Sequence, residues 1–556
     1  MRVSVPVEKR FLGLGKTIYN SGVTELTLHQ GRIHWETLLT ERLDKKKNSG
    51  AWPFLALDLL GVKEKRYYAI AENRDITSPV FYENLMQSHS LFYEKVKAKG
   101  LENCLKEYNV NLKEVGHHEA HAYSAIAQMP FPAGFILVMD GGGSRIGESD
   151  FIEHTTLFYF DGVQCLELEK EWLVYEAHEG FELKLAEGIG SFYERCAQFI
   201  FNDNLCSGKV MGLAGYGRSW YDKNLSLVEN QKKMDWNKSF KGHSKKEWQE
   251  SEHLKYWQDL AATVQDAFEV NLKRWVEKIQ NLKGNHRNNL ILTGGCALNC
   301  TANDKLEKKK IFDEIYIPSN PGDEGISLGL AYREAFLSKK MAFLPKPYQH
   351  QTSAYGRIHD FSKENVAKVF HSFELKLLDN WEPVVNLLQE GQVVAWIQGR
   401  SECGPRALGH RSILARPDRE GLKDFLNAEI KFRESFRPYG ASVLWEEAHK
   451  YFEVEEGYQN PFMSFATPIR EEFHDKLKEV SHIDLTCRMQ TVMDTQNPEY
   501  YQLIKSCHIA GMLPILLNTS LNIMGQPILE SIEDALAFFE QTNVTKMVIG
   551  ETLISK

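Results

Sequence analysis

Short, continuous apolar runs closed by glycine or proline recur along this chain, and they predict strands buried on both faces. The clearest is Phe135-Ile136-Leu137-Val138-Met139, which ends at Asp140 and the turn Gly141-Gly142-Gly143. Leu290-Ile291-Leu292-Thr293 is a second, closed by Gly294-Gly295 and followed by a helix-like segment. Ile315-Tyr316-Ile317 is a third, running into the loop from Pro318 to Gly325. Strand-like runs alternating with helix-like ones specify an α/β chain. Three strands that each end in a Gly- or Pro-rich loop fit an open sheet with ligands at its carboxyl edge. The stretch 222–254 is rich in lysine and glutamine with few aliphatic residues, and reads as an exposed insertion or a helical excursion. Periodicity breaks over 338–356, at Lys339-Lys340, Pro345 and Pro347, where a domain boundary is expected. Beyond it the α/β rhythm resumes with a strand over 393–397, a Gly/Arg loop, a helix over 421–430 and a strand over 514–517.

Size and charge narrow the class. At 556 residues the chain exceeds what one hydrophobic core organises, so at least two domains are expected. A formal charge of −9 argues against binding nucleic acid through a global positive field, while leaving room for a local basic groove. No apolar run of roughly 18 residues occurs, so no membrane span is predicted. The opening Met1-Arg2-Val3-Ser4-Val5-Pro6 lacks the apolar core of a secretory signal. Nine cysteines are scattered without a C-x-x-C pair, which favours reduced thiols in a cytoplasmic protein over a zinc ribbon.

Three constellations carry chemistry. In His117-His118-Glu119-Ala120-His121 the outer histidines are four apart, so on a helix both imidazoles leave one face, as a shared metal requires. The spacing is not H-E-x-x-H, which disfavours a zincin protease. Asp140 precedes three glycines and Asp323 lies in Pro321-Gly322-Asp323-Glu324-Gly325; each alone reads equally as a turn or cap residue. Two imidazoles and two carboxylates together suit a divalent ion with room for substrate oxygens. The glycine loops at 141–143, 208–212 and 294–295 let backbone N–H groups approach an anion, although most glycine pairs are simply turns. From Arg400 to Arg437 nine Lys/Arg face six Asp/Glu, in a chain that is acidic overall. Arg406 sits in a Gly/Pro-punctuated loop, and Lys431, Arg433 and Arg437 lie in Lys431-Phe432-Arg433-Glu434-Ser435-Phe436-Arg437. With Arg488, Ser520 and Asn522 they supply what a polyphosphate needs: guanidinium forks, an ammonium and short polar side chains.

These segments resemble the O-carbamoyltransferases of the nodulation and antibiotic type, the family of the tobramycin and cephem carbamoyltransferases. The matching runs are H-H-E-A-H-A, M-D-G-G-G, G-K-V-M-G-L-A-G-Y-G, T-G-G-C-A-L-N, P-G-D-E-G, G-R-S-E-C-G-P-R-A-L-G-H-R-S, K-F-R-E-S-F-R-P and L-N-T-S-L-N. The resemblance covers nearly the whole chain. It implies an N-terminal actin-like domain (a duplicated ribonuclease-H-like fold) over 1–345 and a YrdC-like α/β domain over 355–556. It further implies that carbamoyl phosphate and ATP give carbamoyl-adenylate and pyrophosphate in the C-terminal domain. The carbamoyl group then passes to an acceptor hydroxyl at the metal site of the N-terminal domain. Carried residue by residue, His117, His121, Asp140 and Asp323 match metal ligands, usually of iron. Arg406, Lys431, Arg437, Arg488, Ser520 and Asn522 match the carbamoyl-phosphate and ATP contacts, with Lys431 and Arg437 carrying catalysis. Gly141, Gly142, Lys209, Gly294, Gly295 and Asn299 are expected to contact nucleotide in the N-terminal domain. The implied cofactors are ATP, Mg2+, and Fe2+ or another divalent ion.

One departure bears on the acceptor. Where the family usually carries a His-Asp or His-Asn pair, this chain has Tyr19-Asn20-Ser21-Gly22, which predicts a different acceptor pocket with Tyr19 beside it. A sugar, an antibiotic-like or nucleoside-like alcohol, or a hydroxymethylated base in DNA all satisfy the motifs. Transfer RNA threonylcarbamoylation would need threonine and bicarbonate, and the added Arg406 and Arg488 favour carbamoyl phosphate instead. Hydrogenase maturation is disfavoured, because zinc-finger cysteine pairs are missing. A nucleotide- or nucleic-acid-binding module with a structural metal is the non-enzymatic alternative.

Overall fold

The computed structural model describes the chain except for residues 1–7, 18–19, 30–31, 48–52, 63–64, 74–112, 145–150, 175–186, 283, 285 and 340. Three sheets organise it. The first contains β1 (Lys9–Gly15), β2 (Gly22–His29), β3 (Arg32–Leu39), β4 (Ala69–Asn73) and β5 (Lys113–Val115) in the order β3-β2-β1-β4-β5. The second contains β6 (Gly134–Met139), β7 (Phe151–Phe160), β8 (Cys165–Val174), β9 (Asn289–Thr293) and β10 (Glu314–Tyr316) in the order β10-β9-β6-β7-β8. Directions match as well as order. In each sheet the first three strands form an antiparallel meander, and the last two pair parallel beside the first. The three strands read from apolar runs are β6, β9 and β10, mutually parallel neighbours, so their Gly- and Pro-rich loops emerge at one carboxyl edge.

Helix α1 (His117–Ile126) precedes β6, and α2 (Ile189–Phe201), α3 (Ser207–Ala214) and the long α4 (Leu254–Leu282) lie between β8 and β9. Next come α5 (Cys300–Glu307) after β9 and α6 (Ile326–Leu337) after β10. Two close approaches set the geometry around α6. A Cβ on Gly329 would sit 1.9 Å from the Ala120 carbonyl of α1, and one on Gly13 would sit 2.0 Å from the Ser327 carbonyl. Glycine at these two points lets α6 press against both α1 and β1, which delivers Asp323, at the head of α6, to the histidines of α1.

The stretch 222–254 is a helical excursion, as one of its two readings has it, but it is not fully exposed. Its short helices Leu227–Gln231 and Lys245–Gln249 each carry a capping box, Ser226 with Glu229 and Ser244 with Glu247. Met234 and Trp248, 4 % exposed each, anchor it in the N-terminal core. With Leu227, Phe240 and Leu254 packed beside them, a few apolar anchors among lysines bury one edge of the segment, and composition averages over them.

The C-terminal sheet has nine strands. They are β11 (Glu374–Leu377), β12 (Val394–Ile397), β13 (Arg411–Ala415), β14 (Gly440–Leu444) and β15 (Thr467–Pro468). The last four are β16 (Thr486–Val492), β17 (Ile515–Ser520), β18 (Lys546–Ile549) and β19 (Thr552–Ser555). Their order is β11-β19-β18-β12-β13-β17-β14-β16-β15. The helix expected over 421–430 forms as one α-turn, Leu422–Phe425, followed by a π-helical turn, Leu426–Ile430, that runs directly into Lys431.

Arg400 and Arg411, from the basic region, are structural. Arg400 donates to the carbonyls of Trp35, Tyr355 and Gly356, tying β3 to the segment before β11. Arg411 donates to the carbonyls of Gln398, Gly399, His410 and Glu530. Glu530 accepts from Ser401 Oγ at 2.6 Å and pairs with His359 Nε2 at 2.9 Å. Burial alone would push its carboxyl up, but His359, Arg411 and Arg42 outweigh it and hold the pKa at about 2. A folded pKa below the ordinary 4.5 means stabilisation that is complete above that value and lost as pH falls toward 2. Glu530→Gln is therefore expected to cost about 1–3 kcal/mol at neutral pH. The gap to wild type should narrow as pH falls from 4.5 toward 2 in urea denaturation, and a gap independent of pH would contradict this.

Among the described residues no helix is long and apolar enough to cross a membrane. The eight cysteines that fall among them are all free thiols.

Candidate active site

The carboxyl edge of the second sheet gathers four ligand atoms. His117 and His121, both 0 % exposed, point from successive turns of α1. His117 Nε2 lies 3.3 Å from Asp140 Oδ2 and 3.4 Å from Asp323 Oδ1; His121 Nε2 lies 3.1 and 3.6 Å from the same atoms. All four ligand atoms fall within 4.8 Å of one another. Burial pushes the imidazoles down, yet the hydrogen bonds with Asp140 and Asp323 outweigh it and hold His117 up at about 10. The same bonds hold both carboxyls well below the usual range. The donor set of two nitrogens and two carboxylates therefore fits a divalent cation. His118, between them, turns away: its Nδ1 meets Thr156 Oγ1 at 2.7 Å, and burial pushes it down to about 3. Glu153 fixes the arrangement by accepting from the backbone N–H groups of His118 and Ser144 at 3.0 Å each, joining the first turn of α1 to the loop after Asp140.

A cavity of about 650 Å³ opens beside this cluster. Its wall includes Asp140, Gly141, Glu194 of α2, Lys209 of α3, Gly295 and Asn299. Burial, with Asp140 and Asp323 near it, pushes the Glu194 carboxyl up to about 8.

A second cavity, of about 250 Å³, lies against the C-terminal sheet. Five cations line it, Lys47, Arg406, Arg433, Arg437 and Arg488, against two acids, Glu41 and Glu324. Burial and the neighbouring Arg488 push Arg406 down to about 9. Burial lowers Arg433 to about 10, although its guanidinium lies 4.1 Å from the Tyr439 ring and donates to Asn427 Oδ1. Cations crowded out of water with few counter-charges make a site that favours an anion. Ser520 and Asn522 line the same cavity, and Asn518 adds a third polar side chain from β17. Arg406, Arg437, Lys47, Gly208, Met211 and Pro405 belong to the walls of both cavities.

Comparison with known proteins places this arrangement. The family model described as Carbamoyltransferase N-terminus matches residues 71–332, and that described as Carbamoyltransferase C-terminus matches 385–556. The chain belongs to the carbamoyltransferase family. It is a transferase enzyme of that family, related to nodulation and cephem proteins. The nodulation protein NolO of Bradyrhizobium diazoefficiens is 31 % identical over 459 residues, 80 % of this chain and 79 % of that protein. The nodulation protein NolNO of Sinorhizobium fredii is 32 % identical over 461 residues, 80 % of this chain and 64 % of that protein. The 3'-hydroxymethylcephem-O-carbamoyltransferase of Streptomyces clavuligerus is 32 % identical over 265 residues, 47 % of this chain and 48 % of that protein.

In this carbamoyltransferase the four residues read as metal ligands converge as expected. Of the cationic set, Arg406, Arg437, Arg488, Ser520 and Asn522 line the basic cavity, whereas Lys431 stands behind its wall. Its ammonium donates to Ser520 O at 2.6 Å, Asn522 O at 2.9 Å and Asn522 Oδ1 at 2.6 Å, so it fixes the Ser/Asn loop from within. Burial, then Arg433 and Arg437, push its pKa well down. The expected nucleotide set of the N-terminal part divides. Gly141, Gly295, Lys209 and Asn299 line the larger cavity; Gly142 and Gly294 do not. Gly294 has φ +85° and its Cβ would lie 2.2 Å from the Met139 carbonyl, so strand packing accounts for it. Asn299 also caps α5, accepting from Ala302 N at 3.1 Å. Tyr19 lies outside the described residues. Its neighbour Asn20, at φ 58°, lines the basic cavity.

Sequence reasoning passed over Lys47, Glu194, Glu324 and Asn518. Glu194 carried a faint signal, a carboxylate on a helix otherwise rich in aromatic and apolar residues. Lys47, in a run of lysines, carried none.

Proposed function

We propose that this chain is an ATP-dependent O-carbamoyltransferase working in two steps at two connected sites. One observation carries the reading: a five-cation cavity and a cavity bearing the His/Asp cluster have Arg406 and Arg437 as common walls. The repeated β3-β2-β1-β4-β5 arrangement supports a duplicated ribonuclease-H-like domain over 1–345, followed by a YrdC-like domain over 355–556.

In the first step the C–O–P linkage of carbamoyl phosphate is cleaved by water to carbamate and phosphate. A carbamate oxygen then attacks the α-phosphorus of ATP, the bond to the β-phosphate oxygen breaks, and pyrophosphate leaves with the electron pair. Condensing two anions is opposed by their repulsion, and Arg406, Arg433, Arg437 and Arg488 offset it. Lys431 holds the loop of Ser520 and Asn522 in place at the cavity wall. Mg2+ accompanies the ATP as its usual counter-ion.

In the second step the acceptor hydroxyl attacks the carbamoyl carbon, the carbon–oxygen bond to AMP breaks, and the hydroxyl proton is released. His117, His121, Asp140 and Asp323 would hold a divalent ion, Fe2+ by family resemblance, which supplies Lewis acidity toward the carbonyl or phosphate oxygens. Arg406 and Arg437 bind the phosphate of the adenylate on the shared wall, with Lys209 beside them in the larger cavity. The acceptor is a small-molecule alcohol of sugar, antibiotic or nucleoside-like type, and the protein works in the cytoplasm.

The deciding experiment is ATP–pyrophosphate exchange with the purified protein, with and without carbamoyl phosphate. Exchange that requires carbamoyl phosphate is the expected result; nucleotide binding with no exchange would point to a binding module instead. Incubating the active protein with candidate alcohols and looking for a mass gain of one carbamoyl group then identifies the acceptor.

A further inference from the structure

The run Glu434-Ser435-Phe436-Arg437-Pro438 is covalently part of the C-terminal sheet's connections, yet its side chains are bound by the N-terminal part. Phe436 is 8 % exposed and belongs to the N-terminal core, not to the core of the C-terminal sheet that flanks it. Its ring centre lies 5.5 Å from Trp248, 6.2 Å from Phe201 in a stacked arrangement and 6.4 Å from Tyr216. Two of these aromatic partners come from α2 and the lysine-rich excursion, so that excursion builds the socket. Glu434 Oε1 meets Lys209 Nζ of α3 at 2.9 Å, and its Oε2 lies 3.7 Å from Arg437 Nη1. Gln249 Nε2 donates to Ser435 Oγ at 3.5 Å. A side chain on Gly212 of α3 would touch both Phe436 and Pro438 at 3.7 Å, so α3 itself lies flush against the run. Phe432, in contrast, is 47 % exposed at φ 50°, and marks where the loop leaves its own sheet.

We propose that Phe436 and Glu434 are positioning residues that make carbamoyl-adenylate formation depend on the docked N-terminal part. They hold Arg437 on the wall common to both cavities, so that the polyphosphate site is complete only where the adenylate can be passed on. The inference rests on the two-step reading above. A carboxylate beside a polyphosphate site is otherwise unfavourable, because it repels the ligand and neutralises the arginine meant for it. The two roles therefore differ in sign. A bystander Glu434 predicts that Glu434→Gln tightens ATP binding by removing a negative charge. A positioning Glu434 predicts weaker binding, because Arg437 is no longer held.

The test uses the full-length protein and three variants, Glu434→Gln, Phe436→Ala and Phe436→Leu. Carbamoyl-phosphate-dependent ATP–pyrophosphate exchange gives KM for ATP, and AMP formed without acceptor gives the leak of adenylate per exchange event. Glu434→Gln and Phe436→Ala are expected to raise KM for ATP by about tenfold to a hundredfold, the scale of a misplaced binding group, and to raise the leak. Phe436→Leu, which keeps an apolar plug, should recover most of the loss. Unfolding midpoints are recorded for all, and Glu434→Gln carries the test alone if Phe436→Ala fails to fold. A KM for ATP unchanged or lowered in Glu434→Gln overturns the proposal. So does a Phe436→Ala protein that folds and exchanges as wild type does. Absence of exchange in the wild-type protein would instead overturn the two-step reading on which it rests.

Discussion

Arg437→Ala and Lys431→Ala are each expected to cost about 2–4 kcal/mol of transition-state stabilisation, a loss of roughly thirtyfold to a thousandfold in carbamoyl-phosphate-dependent ATP–pyrophosphate exchange. The two reach that result differently. Arg437 lines both cavities, so its loss removes a cation from the place where pyrophosphate must be stabilised as it leaves. Lys431 is 3 % exposed and contributes from behind the wall. Removing its ammonium orphans the carbonyls of Ser520 and Asn522 and the Asn522 side-chain oxygen, and frees the loop they form. Arg437→Ala should therefore leave the unfolding midpoint near that of wild type, while Lys431→Ala lowers it. Wild-type exchange in either variant would contradict the assignment of the basic cavity to the adenylate step.

The double substitution His117→Ala with His121→Ala is expected to stop carbamoyl transfer entirely while sparing pyrophosphate exchange. Both imidazoles are fully buried and supply half of the four-atom donor set, so the remaining Asp140 and Asp323 cannot hold an ion tightly. Their two carboxylates would then face each other without imidazole partners, which adds a cost in stability. The basic cavity is lined by neither histidine, and its chemistry should continue. Metal analysis of the purified variant checks the first part, and retention of stoichiometric metal would refute it. Exchange checks the second, and its loss in a folded, metal-free variant would mean that the two steps are not separable in this way.

Much of the candidate site's sheet edge was readable from residue order. The apolar runs at 135–139 and 290–293 read as buried strands, and a strand that ends in Gly-Gly or Asp-Gly-Gly-Gly delivers backbone to a carboxyl edge. The histidines at an i, i+4 spacing had to share a helix face, and α1 presents them so. Two aspartates at strand-end loops suggested the pairing with Asp140 and Asp323, which stand far apart in the chain, and family resemblance added their role.

Other features were illegible because they depend on which surfaces meet. Arg400 and Arg411 share the Gly/Pro-punctuated loop of Arg406, yet they spend their donors on backbone carbonyls while Arg406, Arg433 and Arg437 line the cavity. Nothing in a side chain's identity decides whether a guanidinium finds a carbonyl or an empty wall. Lys47 and Glu324 reach the basic cavity only because the N-terminal part docks on the C-terminal sheet.

By itself, then, the order of residues determined the strands at 135–139, 290–293 and 315–317, the shared helix face of His117 and His121 and the cationic inventory, since periodicity and local spacing act within a few residues. Tertiary structure alone decided the rest. It put Lys431 behind the wall and Arg437 within it, gave Arg406 and Arg437 to both cavities, and drove Phe436 into the aromatic socket of the other half of the protein. Those outcomes follow from the long-range packing of two separately built cores against each other, and burial and charge along a single segment cannot anticipate the surface it will meet.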